Sequence, residues 1–165
     1  MNILVKHAIR LKNTVRRHLG VLELKIKYGK QVQMGKFHFR DGFNVYVEGN
    51  GKLKIGDNCF FNNYCSITAR DSIKIGNNCI FGENVKIYDH NHCYNDKDLL
   101  ICKQGFSAKE VVIEDDCWIG SNVVILKGVH IGRHSVVGAG VVIYKDLPAN
   151  SVVVCKQSLV SIKER

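Results

Sequence analysis

An aliphatic or aromatic residue returns at every sixth position over most of this chain. Written in sixes from Ile55, the sequence reads IGDNCF, FNNYCS, ITARDS. The register slips by two at Ile73 and Lys74 and resumes as IGNNCI, FGENVK, IYDHNH. Residues 93–112 break the pattern, and from Ile113 it runs again as IEDDCW, IGSNVV, ILKGVH, IGRHSV, VGAGVV, IYKDLP. The first position of all twelve units is Ile, Phe or Val, the fifth is mostly small, and Gly holds the second in six. A helix of about 3.6 residues per turn cannot keep a six-residue apolar stripe on one face. A plain strand, with its alternation of two, would not ask for Gly at every sixth place.

The pattern predicts a coil with three flat walls, one hexapeptide to each. The first residue of a unit points into a triangular prism, and Gly permits the corner conformation. Three units make one turn, so residues 18 apart stack: Ile113 over Ile131, Ile119 over Val137, Ile125 over Ile143. Backbone bonds then join successive turns at about 4.8 Å. Cys59, Cys65, Cys79 and Cys117 fall inward, where small side chains fit, and no CxxC pair suggests metal chemistry.

The ends differ from the repeat. Leu4, Ala8, Leu11, Val15 and Leu19 lie at helical spacing, predicting a helix over 3–19 with Asn2 capping its start and Gly20 its end. Leu22, Leu24, Ile26 and Tyr28 then alternate with Glu23, Lys25 and Lys27 as in a strand. Residues 1–30 are therefore read as a basic amphipathic helix and cap, and 31–165 as the coil with a C-terminal tail. The helix has two compatible uses: covering the open first coil, as solenoid ends require, or peripheral contact with an anionic membrane surface.

Charge sharpens this division. Residues 1–30 hold eight Lys and Arg against Glu23 alone, a net +7 of the chain's +9. A nucleic-acid binder with a uniformly basic surface would look different. Seven Cys, an odd number without a secretory pattern, read as reduced thiols and point to the cytoplasm. No apolar run approaches the roughly 18 residues that span a bilayer.

The chemistry gathers where the repeat stops, at Ile87-Tyr88-Asp89-His90-Asn91-His92. A stacked coil is interrupted only by extruding a loop, so 93–112 form an arm beside a His-rich corner. Loops on a rigid scaffold commonly carry active sites. Neutral imidazole, with an unperturbed pKa of about 6.5, suits removal of a proton from an attacking hydroxyl. A backbone N–H can hold the developing oxyanion.

Three motifs carry a resemblance: IYDHNH (87–92), CWIGSNVVILKGVHIG (117–132) and VVGAGVVIYKDLP (136–148). They resemble the galactoside and maltose acetyltransferase branch of the hexapeptide-repeat acyltransferase superfamily. That branch includes sugar O-acetyltransferases of surface-polysaccharide synthesis, and the resemblance spans about residues 43–155. It implies an all-β fold, a left-handed parallel β-helix. It also implies acetyl-CoA as co-substrate with no metal, a sugar hydroxyl as acceptor, and a homotrimer with active sites between subunits.

In that branch the catalytic His stands five residues after the inward aliphatic of its unit, which assigns the base to His92 and makes His90 its neighbour. Trp118 matches a wall of the acetyl and acceptor pocket. Ser121 matches the position whose backbone N–H contacts the thioester oxygen. Asn62 matches an acceptor-binding Asn, and Asp89 and Arg70 are expected on the acceptor side. Gly138 and Ala139 match the path of pantetheine, and Lys145 a cation near the CoA phosphates. Two departures stand out. Arg70 replaces an Asp, which suggests an acceptor carrying a carboxylate or phosphate. Cys155-Lys156-Gln157 replaces a Gly-x-Pro near the adenine, leaving Lys156 and Lys163 as candidate phosphate partners.

Rival readings remain at this stage. An amino-sugar N-acetyltransferase needs the same base. A γ-carbonic-anhydrase-like site would draw zinc to three of His90, His92, His130 and His134, although the spacing of His130 and His134 does not match that family. A non-catalytic scaffold would need neither the His-rich corner nor an exposed Trp.

Overall fold

The computed structural model describes residues 3–155, apart from the side chains of residues 8–10, 13 and 16. Asn2, Lys156 and Lys163 lie outside the described residues. The chain winds into a parallel β-helix of three walls. The first stacks Val32–Met34, Lys52–Ile55, Ser72–Ile75, Val111–Ile113 and His130–Ile131. The second begins with His38–Phe39 and runs through Phe60–Phe61, Ile80–Phe81, Trp118–Ile119 and Val136–Val137 to Val152–Val153. The third stacks Asn44–Val47, Ser66–Ala69, Lys86–Tyr88, Val124–Ile125 and Val142–Ile143. The expected partners meet: Ile113 with Ile131, Ile119 with Val137, Ile125 with Ile143. All twelve first-position residues are buried.

The prism is wider at its start. Phe39 pairs with Phe61, 22 residues on, and Phe61 with Phe81, 20 on, whereas Ile119 and Val137 are 18 apart. Aromatic side chains fill the wider coils, and the rings of Phe61 and Phe81 stack at 4.4 Å. Cys59, Cys65, Cys79 and Cys117 are buried as expected. Cys59, Cys79 and Cys117 each aim a thiol at a carbonyl of the next coil, those of Gly76, Glu114 and Gly132, at 3.1–3.4 Å. This is packing rather than reactivity.

The repeat glycines act otherwise than the sequence suggested. None of those at the second position has a positive φ. The left-handed conformation falls at the fourth position instead, on Asn58, Tyr64, Asn78, Asn84, Asp116, Asn122, His134, Gly128 and Gly140. Second-position glycines are required by close approach: a Cβ on Gly56 would stand 2.5 Å from the carbonyl oxygen of Gly76 in the next coil. Gly56→Ala is thus expected to force two coils apart and lower stability by about 1–3 kcal/mol. Urea unfolding at unchanged slope checks this.

The N-terminal helix, α1, runs from Ile3 to Tyr28 rather than ending at Gly20. The strand-like alternation was two i,i+4 pairs on opposite faces: Leu24 and Tyr28 pack on the prism, while Leu22 and Ile26 point to solvent. Gly20 does not stop the helix; it lets the Phe39 ring approach, since a Cβ there would sit 2.9 Å from it. Val21, Leu24 and Tyr28 join the core, and the Tyr28 hydroxyl donates to the Val45 carbonyl at 3.1 Å. The C-terminal half of α1 therefore covers the first coil.

Candidate active site

The two-residue slip in the repeat has a structural cause. The chain takes two extra residues between Ser66–Ala69 and Ser72–Ile75, which turns the amides of Arg70 and Asp71 away from ladder partners. Asp89, one coil on, meets them. The Arg70 N–H donates to both its carboxylate oxygens at 2.9 and 3.0 Å, and the Asp71 N–H to Oδ2 at 2.8 Å. Asp89 is fully buried. It is thus a fixture of the corner, not the acceptor contact expected of it, because its carboxylate is buried and held by backbone amides.

The excursion from the coil starts earlier than the broken repeat indicated. His90–His92 leaves the third wall and pairs antiparallel with Phe106–Ala108, His92 opposite Phe106. The first wall resumes at Val111, which pairs with Ile73. The arm is pinned at its root, where the Lys109 N–H donates to the Asp89 carbonyl at 2.8 Å and Lys127 Nζ reaches the Ser107 hydroxyl at 2.6 Å.

Both candidate imidazoles lie on this hairpin, in different surroundings. Nδ1 of His90 is 2.9 Å from Asp89 Oδ1, and its side chain is only 13% exposed. With the proton on Nδ1 it donates to the carboxylate. His92 is exposed, its ring 4.3 Å from that of Phe106, and among the described residues neither of its ring nitrogens makes a hydrogen bond. Phe106 is held in turn by Arg70, whose guanidinium lies 3.3 Å from the ring centroid and pairs with Glu48. Phe106 and Glu48 escaped sequence reasoning, since both lie outside the twelve repeat units. The Arg70 guanidinium thus already has a carboxylate partner, Glu48, within the chain.

The remaining candidates sit elsewhere on the prism. Trp118 is 55% exposed on the second wall, between Ile80 and Val136. Ser121 follows it at the next corner. At the corner between the first and second walls, third-position amides are satisfied by a side chain one coil on: Lys36 by Asp57, Asp57 by Asn77, Asn77 by Asp115; at the Ser121 corner, between the second and third walls, the Glu83 amide is likewise satisfied by the Ser121 hydroxyl. The series ends at Ser121, where the next coil offers Ala139, without an acceptor. Among the described residues the Ser121 N–H makes no hydrogen bond, while its neighbours Gly120 and Asn122 are paired with Val137 and Glu83. Ala139 is exposed and Gly138 half-buried beside Val153. Lys145 lies exposed over the Tyr144 ring. Asn62 Oδ1 accepts from Arg40 at 3.2 Å and from the Asn63 N–H at 2.9 Å, and among the described residues its amide nitrogen makes no hydrogen bond. His130 and His134 pair with Glu114 and Asp116 on the lower coils, apart from the His90 corner.

Comparison with known proteins agrees with this architecture. The family described as "Hexapeptide repeat of succinyl-transferase" matches residues 110–145. Galactoside O-acetyltransferase of Lactococcus lactis is 33% identical over 132 residues, 74% of this chain and 62% of that protein. WbbJ of Escherichia coli, named for lipopolysaccharide O-acetyl transfer, is 31% identical over 119 residues, 68% of this chain and 61% of its own. A hexapeptide-repeat acetyltransferase of Vibrio cholerae, solved with acetyl coenzyme A, superposes with a TM-score of 0.65 at 28% identity, covering 84% of this chain and 81% of that one. The chain spans about half the length of two matched yeast relatives, 54% and 51%. Repeat, wall register and relatives agree: the chain carries the hexapeptide repeat and the β-helix of the hexapeptide-repeat acetyltransferases it resembles.

Proposed function

We propose that this protein moves an acetyl group from acetyl-CoA to a hydroxyl of a sugar or glycan precursor, as a homotrimer with active sites between neighbouring prisms. The observation that carries the reading is the exposed His92 ring, held on Phe106 at the root of the arm with both nitrogens uncommitted. The relatives named for galactoside and lipopolysaccharide acetylation support the acceptor class. The neighbour solved with acetyl coenzyme A supports the donor.

The chemistry follows from these groups. His92 takes the proton of the acceptor hydroxyl as its oxygen attacks the thioester carbonyl. The Ser121 amide, left open by the ending of its ladder, donates to the developing oxyanion. The C–S bond then breaks, and the thiolate takes the proton back from the imidazolium. His92 and Ser121 belong to different corners of one prism, so their convergence calls for a second subunit. Trp118 would wall the acetyl pocket, Asn62 would contact the acceptor, Gly138 and Ala139 would let pantetheine lie close, and Lys145 would meet phosphate.

One observation favours a second reading. The contact between His90 and Asp89 orients an imidazole as a general base needs. Against it, that ring is mostly covered.

The reading is tested by thiol release from acetyl-CoA over a panel of sugars, amino sugars and nucleotide sugars, with acetyl-CoA binding followed by calorimetry. Acetylation of a hydroxyl acceptor is expected. Transfer to amino groups alone would replace the acceptor class, and no detectable acetyl-CoA binding would remove the reading altogether.

A further inference from the structure

Helix α1 has two apolar faces, and only one is used. Val21, Leu24 and Tyr28 meet the prism. Leu11, Val15, Leu19, Leu22 and Ile26 follow at steps of four, four, three and four, and lie 49–76% exposed. At about 100° per residue this second stripe is centred on the side of the helix opposite the first. An apolar stripe of this length is unusual on a protein surface and marks a contact.

The stripe is bordered mainly by basic residues, with Glu23 falling between Lys12 and Lys27 on one edge. Lys12 and Lys27 lie along one edge, His18 and Lys25 along the other, and Glu23 is the helix's single acid. On the Lys25 side a crevice of about 540 Å³ opens between helix and prism, lined by Arg17, His18, Lys25, Lys36 and His38, with Leu22 of the stripe at its edge. On the other side Leu11, Lys12, Val15, Leu19 and Glu23 border an open groove floored by Phe39 and Phe43.

We propose that α1 docks this protein on an anionic membrane surface, the stripe entering the acyl boundary and the flanking cations meeting lipid phosphates. No helix among the described residues is long and apolar enough to cross a membrane, so the contact is interfacial. Charge decides between the possible occupants. A second copy of the helix would bring Lys12, Lys25 and Lys27 against like charges, with Glu23 alone to answer them. Anionic headgroups complement all of them, and Lys stems can lie along the apolar surface while their ammonium groups reach the headgroups. The face of α1 that covers the prism stays in place, so docking needs no rearrangement of the coil.

Co-sedimentation with vesicles tests this without reference to acetyl transfer. The protein is expected to pellet with phosphatidylcholine vesicles containing about one-third phosphatidylglycerol and to stay in solution with phosphatidylcholine alone. Leu11→Glu with Leu22→Glu should weaken binding at least tenfold, on the order of the loss when two apolar anchors are removed. Lys12→Glu with Lys25→Glu should weaken it by at least about fivefold per charge, since each cation near the surface contributes that much. All four side chains are exposed, and thermal melting and sedimentation velocity report whether fold and assembly are kept. Wild-type protein that ignores anionic vesicles, or binds neutral ones equally, overturns the proposal. So does wild-type affinity in either variant. A change in assembly mass in the leucine variant would assign the stripe to a second copy and overturn it as well.

Discussion

His92→Ala should lower turnover by about 10²–10⁴, the usual contribution of a positioned general base. The ring is exposed and hydrogen-bonds to nothing in the described chain, so its removal leaves the prism intact. Acetyl-CoA binding, measured by calorimetry, should stay within about threefold of wild type, because the lost interaction belongs to the transition state. The companion variant His90→Ala discriminates between the two imidazoles. If His90 supports the corner, its loss costs far less than that of His92. The reverse order would assign the base to the Asp89-linked ring, and a loss below about tenfold in both would dismiss imidazole catalysis.

Asp89→Ala is expected to be the most damaging single change for stability. Its carboxylate is fully buried and accepts from the amides of Arg70 and Asp71, with Nδ1 of His90 also in reach. Alanine would leave these donors without an acceptor and open a small void. Each orphaned buried donor costs about 1–3 kcal/mol, so a loss of roughly 3–5 kcal/mol is expected, read from the urea midpoint. Asp89→Asn should recover only part of this, since its amide group presents a donor where donors already converge. A shift under about 1 kcal/mol in the alanine variant would show that the turn at Arg70 and Asp71 holds itself.

The prism was legible because its period is unlike that of any helix or flat sheet, and because inward positions admit so few side chains. Coil pairings such as Ile113 with Ile131 follow from counting alone. Counting fails where chain is added. The slip at Ile73 and Lys74 was visible, but only the structure ties it to Asp89, because the link runs between backbone amides and a side chain 18 and 19 residues away. The end of α1 is hidden in the sequence because two i,i+4 pairs on opposite faces imitate alternation. For the repeat glycines, sequence marks where a Cβ is absent, but not whether torsion or proximity excludes it. Phe106 and its hold on His92 lie in a stretch with no period to read.

The arm has a consequence for how this scaffold can change. Ile75 and Ile113 are adjacent rungs although 38 residues separate them in the chain. Doubling the length of a closed loop costs only about 0.6 kcal/mol, far less than two well-packed rungs contribute. Whatever is spliced between residues 92 and 106 therefore leaves the stack beneath it nearly indifferent. Lengthening, trimming or exchanging the tip offers a route to new acceptors that does not draw on the stability of the walls.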